Sequence, residues 1–154
     1  MPGARPESRL QKRLVDALYV EAMLLADEAR GYFDEAGRAE REALDPLTRV
    51  TFSCESLKVT TRLMHIIAWL LTQRAVAAGE LRPRDALDPS RRLGDAPLTE
   101  DASLAALPER ARAMIAASAD LHRRIARLDT AQEQPPEALP SPARSIQQRL
   151  ARAF

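Results

Sequence analysis

Apolar residues recur at spacings of three and four along three long segments of this 154-residue chain, the period of an amphipathic helix. The most regular segment starts at Asp45, whose carboxylate can accept from the free amides of a first helical turn. Pro46 follows where a missing N–H costs nothing, and Gly79 stands where a left-handed C-cap would end the helix. No proline or glycine intervenes, so the pattern predicts one helix over 46–79, roughly 34 residues and about 50 Å long.

This helix carries apolar residues on two faces. At 100° per residue, Leu47, Val50, Cys54, Leu57, Met64, Ala68, Leu71 and Ala75 form one stripe, and Cys54 reads as core. Phe52, Val59, Leu63, Ile66 and Leu70 form a second stripe on nearly the opposite side. On one flank, Glu55, Lys58, Arg62, His65, Trp69 and Gln73 fall in a single row. The other flank is mixed, with Ser56, Thr60 and Arg74 beside Ile67.

The first helix is predicted over about 8–37, with Leu14, Leu18, Ala22, Leu25, Ala29, Phe33 and Ala36 as its stripe. A weaker strip of Ala17, Val20, Leu24 and Gly31 lies on another side. Residues 81–99 hold three prolines and a glycine and read as a loop with one helical turn near 84–87. The third helix is predicted over about 104–131, starting at Leu104 or at Pro108, with Leu107, Ala111, Met114, Ile115, Ser118, Leu121, Ile125 and Leu128 on one face. Residues 1–7 and the Pro- and Glu-rich 132–143 read as disordered. In the last segment, Ile146, Leu150 and Phe154 fall at i, i+4 and i+8, the pattern of a short amphipathic helix that folds on a partner.

These segments predict an all-α fold: an antiparallel three-helix bundle with a long central helix over 1–131, and a flexible C-terminal tail over 132–154. A helix in such a bundle faces its neighbours over one arc, so a second stripe needs another surface. The expectation is a homodimer whose interface is Phe52, Val59, Leu63, Ile66 and Leu70, with Val20 and Leu24 beside them.

Charge narrows the chemistry. The net charge is +1, without the basic excess usual in a nucleic-acid binder. The single cysteine rules out an internal disulfide, and the longest apolar run, 64–71, is far short of a membrane span. The N-terminal MPGARPESRLQKR lacks the apolar run of a signal peptide, and the expectation is a soluble, cytoplasmic protein. Neither histidine has a Cys, Asp or Glu at metal-ligand spacing, so no metal site and no cofactor is expected. His65 reads as a packing or interface residue rather than a phosphotransfer histidine. Two further readings stay open. Glu55, Lys58, Arg62, Gln73 and Arg74 are the residue types by which a small dimeric helical enzyme, such as a chorismate mutase, binds an anionic metabolite. The arginines of the third helix could instead give a DNA-associated cofactor its basic face. Trp69 among charges suits a partner-binding surface, and half-burial against another chain explains it equally.

The strings LYVEAMLLADEARGYFD (18–34) and ESLKVTTRLMHIIAWLLTQRAVAAGE (55–80) resemble the RcdA family of alphaproteobacteria, regulators of degradation of the cell-cycle factor CtrA. The resemblance covers the first two helices and no motif beyond them. It implies a dimeric three-helix bundle with a flexible tail that acts as a non-enzymatic adaptor of the ClpXP protease. It also implies work alongside a response-regulator-like primer and a cyclic-di-GMP-binding adaptor, with cell-cycle transcription factors as cargo. Tethering of cargo near the protease would raise its effective concentration. The residues expected to bind partners are Glu55, Lys58, Arg62, His65, Trp69 and Gln73, chosen on geometry, with Ile146, Leu150 and Phe154 as a docking contact in the tail.

Overall fold

A computed structural model describes residues 6–133 and 142–153. Among these residues all regular secondary structure is helical. Helix α1 spans Pro6–Gly31 and runs into a π-turn, Tyr32–Ala36, closed by the Gly37 amide on the Tyr32 carbonyl. The short α2, Arg38–Glu42, continues to the Asp45 cap. Residues 1–5, part of the segment expected to be disordered, lie outside the described residues.

Helix α3 spans Pro46–Ala77, 32 residues. The Asp45 carboxylate accepts from the Thr48 amide at 2.9 Å and from its hydroxyl at 2.8 Å. At the far end Gly79 takes φ +76°, and the Glu80 amide reaches back to the Ala75 carbonyl at 2.9 Å. This is the Schellman closure that a left-handed glycine permits. The chain then makes two 3₁₀ turns, Asp85–Leu87 and Pro89–Arg91, and continues extended over residues 92–100. A single turn, α4 (Asp101–Leu104), precedes Pro108. Helix α5 spans Glu109–Glu133 and α6 spans Pro142–Ala153. Of the two predicted starts for the third helix, the one at Pro108 holds: Leu104 belongs to the separate α4 turn, and the Pro108 carbonyl accepts from the Arg112 amide just ahead of α5.

Paired side chains give the helix directions. Asp16 meets Arg74 at 3.6 Å while Phe33 packs on Phe52 with ring centroids 5.4 Å apart, so α1 is antiparallel to α3. Arg62 meets Ser118 at 3.3 Å and Trp69 meets Asp129 at 2.8 Å, so α5 runs parallel to α3. This corrects the all-antiparallel expectation. Only short connections force neighbours to alternate direction, and residues 78–108 are long enough to return the chain to the starting end.

The core corrects a second expectation. Phe52, Val59, Leu63, Ile66 and Leu70 are buried inside the single chain, against Leu18 and Ala22 of α1 and Ile115 and Ile125 of α5. They are not available to a two-fold interface. The other stripe of α3, expected to be core, is open: Leu47 is 78% exposed, Leu57 67% and Met64 64%, and Cys54 is exposed too. The physical reason lies in the flank. The buried stripe adjoins the polar row whose Lys58, Arg62 and Trp69 are tied to the crossover and α5, whereas the open stripe, with Leu47, Val50, Leu57, Met64 and Leu71 among its eight residues, lies on the far side of the helix. Val20 and Leu24 of α1 are exposed on its outer side.

Candidate functional site

The row Glu55, Lys58, Arg62, His65, Trp69 and Gln73 is brought together on one flank of α3, where it holds the extended crossover and α5. At the C-terminal end, the Gln73 and Gln132 side-chain amides pair with each other. One turn below, the Trp69 indole N–H donates to Asp129 Oδ1 at 2.8 Å. Arg92 grips the same carboxylate from the crossover, Nε on Oδ1 at 2.8 Å and one terminal nitrogen on Oδ2 at 3.0 Å. His65 packs its ring on Gly94, where any Cβ would come within 2.7 Å of Nδ1. The Gly94 carbonyl lies 2.9 Å from His122 Nε2 of α5. Arg62 donates to the Pro97 carbonyl at 2.8 Å and the Thr99 hydroxyl at 2.7 Å. Lys58 donates to the Leu98 carbonyl at 2.8 Å and to Glu55 at 2.9 Å, and Glu55 accepts from Thr99 at 2.6 Å.

The match between helix and crossover follows from backbone rise. From Glu55 to Trp69 is 14 residues of helix, about 21 Å. From Arg92 to Thr99 is seven residues of extended chain, about 23 Å. Each step of three or four on α3 therefore meets the next one to three residues of the crossover, which descends antiparallel to it.

Burial sets the electrostatics of this flank. Burial pushes the Asp129 carboxyl up, but hydrogen bonds from Arg92 and Trp69 and the Arg92 charge outweigh it and hold the group below its usual range. Arg92 is in turn raised by its bonds to Asp129 and Glu133. Burial lowers Arg62, and the nearby Glu55 charge partly restores it.

Glu55, Arg62, Trp69 and Gln73 are buried, and Lys58 and His65 are partly so. Their placement corrects the expectation of a free partner-binding row: the partner they bind is the chain itself. Five residues that complete the network, Arg92, Gly94, Thr99, Asp129 and Gln132, are not among the predicted site residues. Asp129 had a readable signal, since it falls four residues after Ile125 on the apolar face of the third helix. Nothing in the sequence marks the loop residues.

The surface that remains open on α3 is the first stripe, and its spacing is that of a heptad. Val50, Leu57, Met64 and Leu71 recur every seven residues, and so do Leu47, Cys54, Thr61, Ala68 and Ala75, three positions earlier. Between Val50 and Gln73 the charged residues of α3 are Glu55, Lys58 and Arg62, all on the strapped flank. The seam is thus free of charge over six turns. In the tail, Ile146 and Leu150 are exposed on α6, while Phe154 and residues 134–141 lie outside the described residues. The ends of the expected 132–143 tether are helical instead, 132–133 closing α5 and 142–143 opening α6. Among the described residues no cluster of three or more His, Cys, Asp or Glu could hold a metal ion, and no helix is long and apolar enough to cross a membrane.

Comparison with known proteins gives the family. The chain is 33% identical to RcdA from Caulobacter crescentus CB15, whose crystal structure matches 77% of this chain and 90% of that one with a TM-score of 0.63. The chain belongs to the RcdA family. A family model described as a protein of unknown function, DUF1465, matches residues 7–154. No curated protein matches the chain. In RcdA-family terms, the two strings that carried the resemblance, 18–34 and 55–80, build the α1–α3 core and most of the strapped flank.

Proposed function

We propose that this RcdA-family chain is a non-enzymatic adaptor in regulated proteolysis, which works as a homodimer and brings cell-cycle regulatory proteins to the ClpXP protease by tethering. The observation that carries the reading is the 33% identity to RcdA over most of both chains. The site geometry supports it over the enzyme alternative. Lys58, Arg62 and Gln73, the groups an anionic metabolite would need, are spent on the crossover and α5, and Arg74 sits over the Tyr19 ring at 4.4 Å. The DNA alternative loses two of the five arginines of that helix, because Arg110 lies over Tyr32 and Arg124 pairs with Glu21, while Arg112, Arg123 and Arg127 stay exposed.

The open seam of α3 supports a second copy as its occupant. A charge-free heptad pattern on a 32-residue helix is the signature of a helix-on-helix seam, and Cys54, Thr61 and Ala68 at one heptad position allow close approach of the two backbones. The tail residues Ile146, Leu150 and Phe154 remain the proposed docking contact for the protease or its primer, in company with the cyclic-di-GMP-binding adaptor.

The test is a reconstituted degradation assay. Purified ClpXP, the response-regulator-like primer, the cyclic-di-GMP-binding adaptor and a CtrA-type regulator are combined with and without this protein. Faster loss of the regulator, with no change for a directly tagged control substrate, supports the reading. An unchanged rate refutes it.

A further inference from the structure

A groove between two helices of the bundle is open, and α6 presents an uncovered apolar face. The groove lies between α1 and α3, where the small side chains of Ala26, Ala29, Ser56 and Thr60 leave a trough of 340 Å³ over Leu63 and Ile67, with Arg30 on its α1 rim and Met64, at the edge of the open seam, on its α3 rim. The π-turn contributes Phe33 and Asp34 to its end. In α6, Ile146 is 56% and Leu150 54% exposed, one turn apart on one face.

Three properties pair them. The first is charge. Residues 142–153 carry Arg144, Arg149 and Arg152 and no acid, whereas the end of α1 and the π-turn carry Asp27, Glu28, Asp34 and Glu35 against Arg30, which lines the groove and lies 3.5 Å from Asp27. The α3 wall of the groove is neutral. The second is length. The groove runs from Ser56 to Ile67, about 17 Å, and the 12 residues of α6 span about 18 Å. The third is reach. The Gln73–Gln132 pair sets the end of α5 level with the end of α3, some 9 Å above Ile67. Residues 134–141 can span up to about 30 Å of chain, enough to pass around α3.

We propose that the α1–α3 groove seats the chain's own α6, with Ile146 and Leu150 in the trough and the arginines toward Asp27 and Asp34. A tail held there is withheld from any other partner. Only this last consequence rests on the adaptor reading; the docking itself does not.

The chain has five isoleucines, which makes isoleucine-methyl NMR of the full-length protein a direct test. Ile146→Asp with Leu150→Asp is expected to move the Ile67 signal by more than its linewidth, and to leave the core signals of Ile66, Ile115 and Ile125 in place. Asp34→Arg is expected to move Ile67 in the same direction. An Ile67 signal that ignores the tail substitutions overturns the proposal. The response must also persist on dilution and in the Leu57→Glu background, where the seam is broken. If it vanishes there, the groove is filled by a second copy and the proposal fails. A protein that shows the Ile67 response but does not speed degradation keeps the docking and loses the adaptor reading.

Discussion

Trp69 and Asp129 are 60 positions apart in sequence and share a 2.8 Å hydrogen bond, indole N–H to carboxylate, between two parallel helices. Arg92 of the crossover closes on the same carboxylate. One nearly buried acid thus ties α3, α5 and the chain that links them. Asp129→Ala leaves the Trp69 and Arg92 donors without their partner, and is expected to cost about 2–4 kcal/mol. Trp69→Phe keeps most of the buried ring and should cost about 1 kcal/mol. Urea unfolding checks both, as a lower midpoint at unchanged slope.

The same residue sets an acid limit. The Asp129 carboxyl titrates below its unfolded value of 3.8 in the folded chain. Its ionised form therefore stabilises the fold above that value, and the contribution is lost as pH falls through the lower folded pKa. Unfolding free energy measured between pH 6 and pH 2.5 should drop more steeply below pH 4 for the natural protein than for Asp129→Asn. Parallel curves would remove Asp129 from the account.

At Gly94 the crossover lies directly against the His65 ring of α3. A methyl group there meets the His65 ring at 2.7–2.9 Å, so Gly94→Ala must lift the strap or turn the ring. The expected loss is about 1–3 kcal/mol. His65→Ala in the same chain makes room, so the double substitution should recover much of that loss. A double-mutant cycle measures the coupling, and strict additivity would mean the contact carries no energy.

Helix content, the Asp45–Pro46 start of α3 and the Gly79 stop were legible because local chemistry decides them. The direction of α5 was not. Apolar spacing in the third helix is the same whichever way it runs, and direction depends on a crossover whose bonds are made by loop carbonyls at Pro97 and Leu98. The polar row on α3 was visible as a row, but side chains at helical spacing do not say whether they face water, a partner or their own loop. For the two apolar stripes, periodicity gave their existence and left open which one faced inward. Side-chain bulk does not separate them, since Leu47, Val50, Leu57, Met64 and Leu71 of the open stripe are as large as Val59, Leu63, Ile66 and Leu70 of the buried one. The decision is made by the crossover and α5 closing on the neighbouring polar row.

The central claim is that α3 uses one apolar face for its own fold and offers the other to a second copy. Light scattering with circular dichroism on Leu57→Glu and Leu63→Glu tests it most directly. Leu57→Glu is predicted to give a monomer with its helix content intact, because the charge falls on the open seam. Leu63→Glu is predicted to lose the fold, because it buries an unpaired carboxylate in the core. A Leu57→Glu protein that stays dimeric, or a Leu63→Glu protein that becomes a well-folded monomer, would contradict the account.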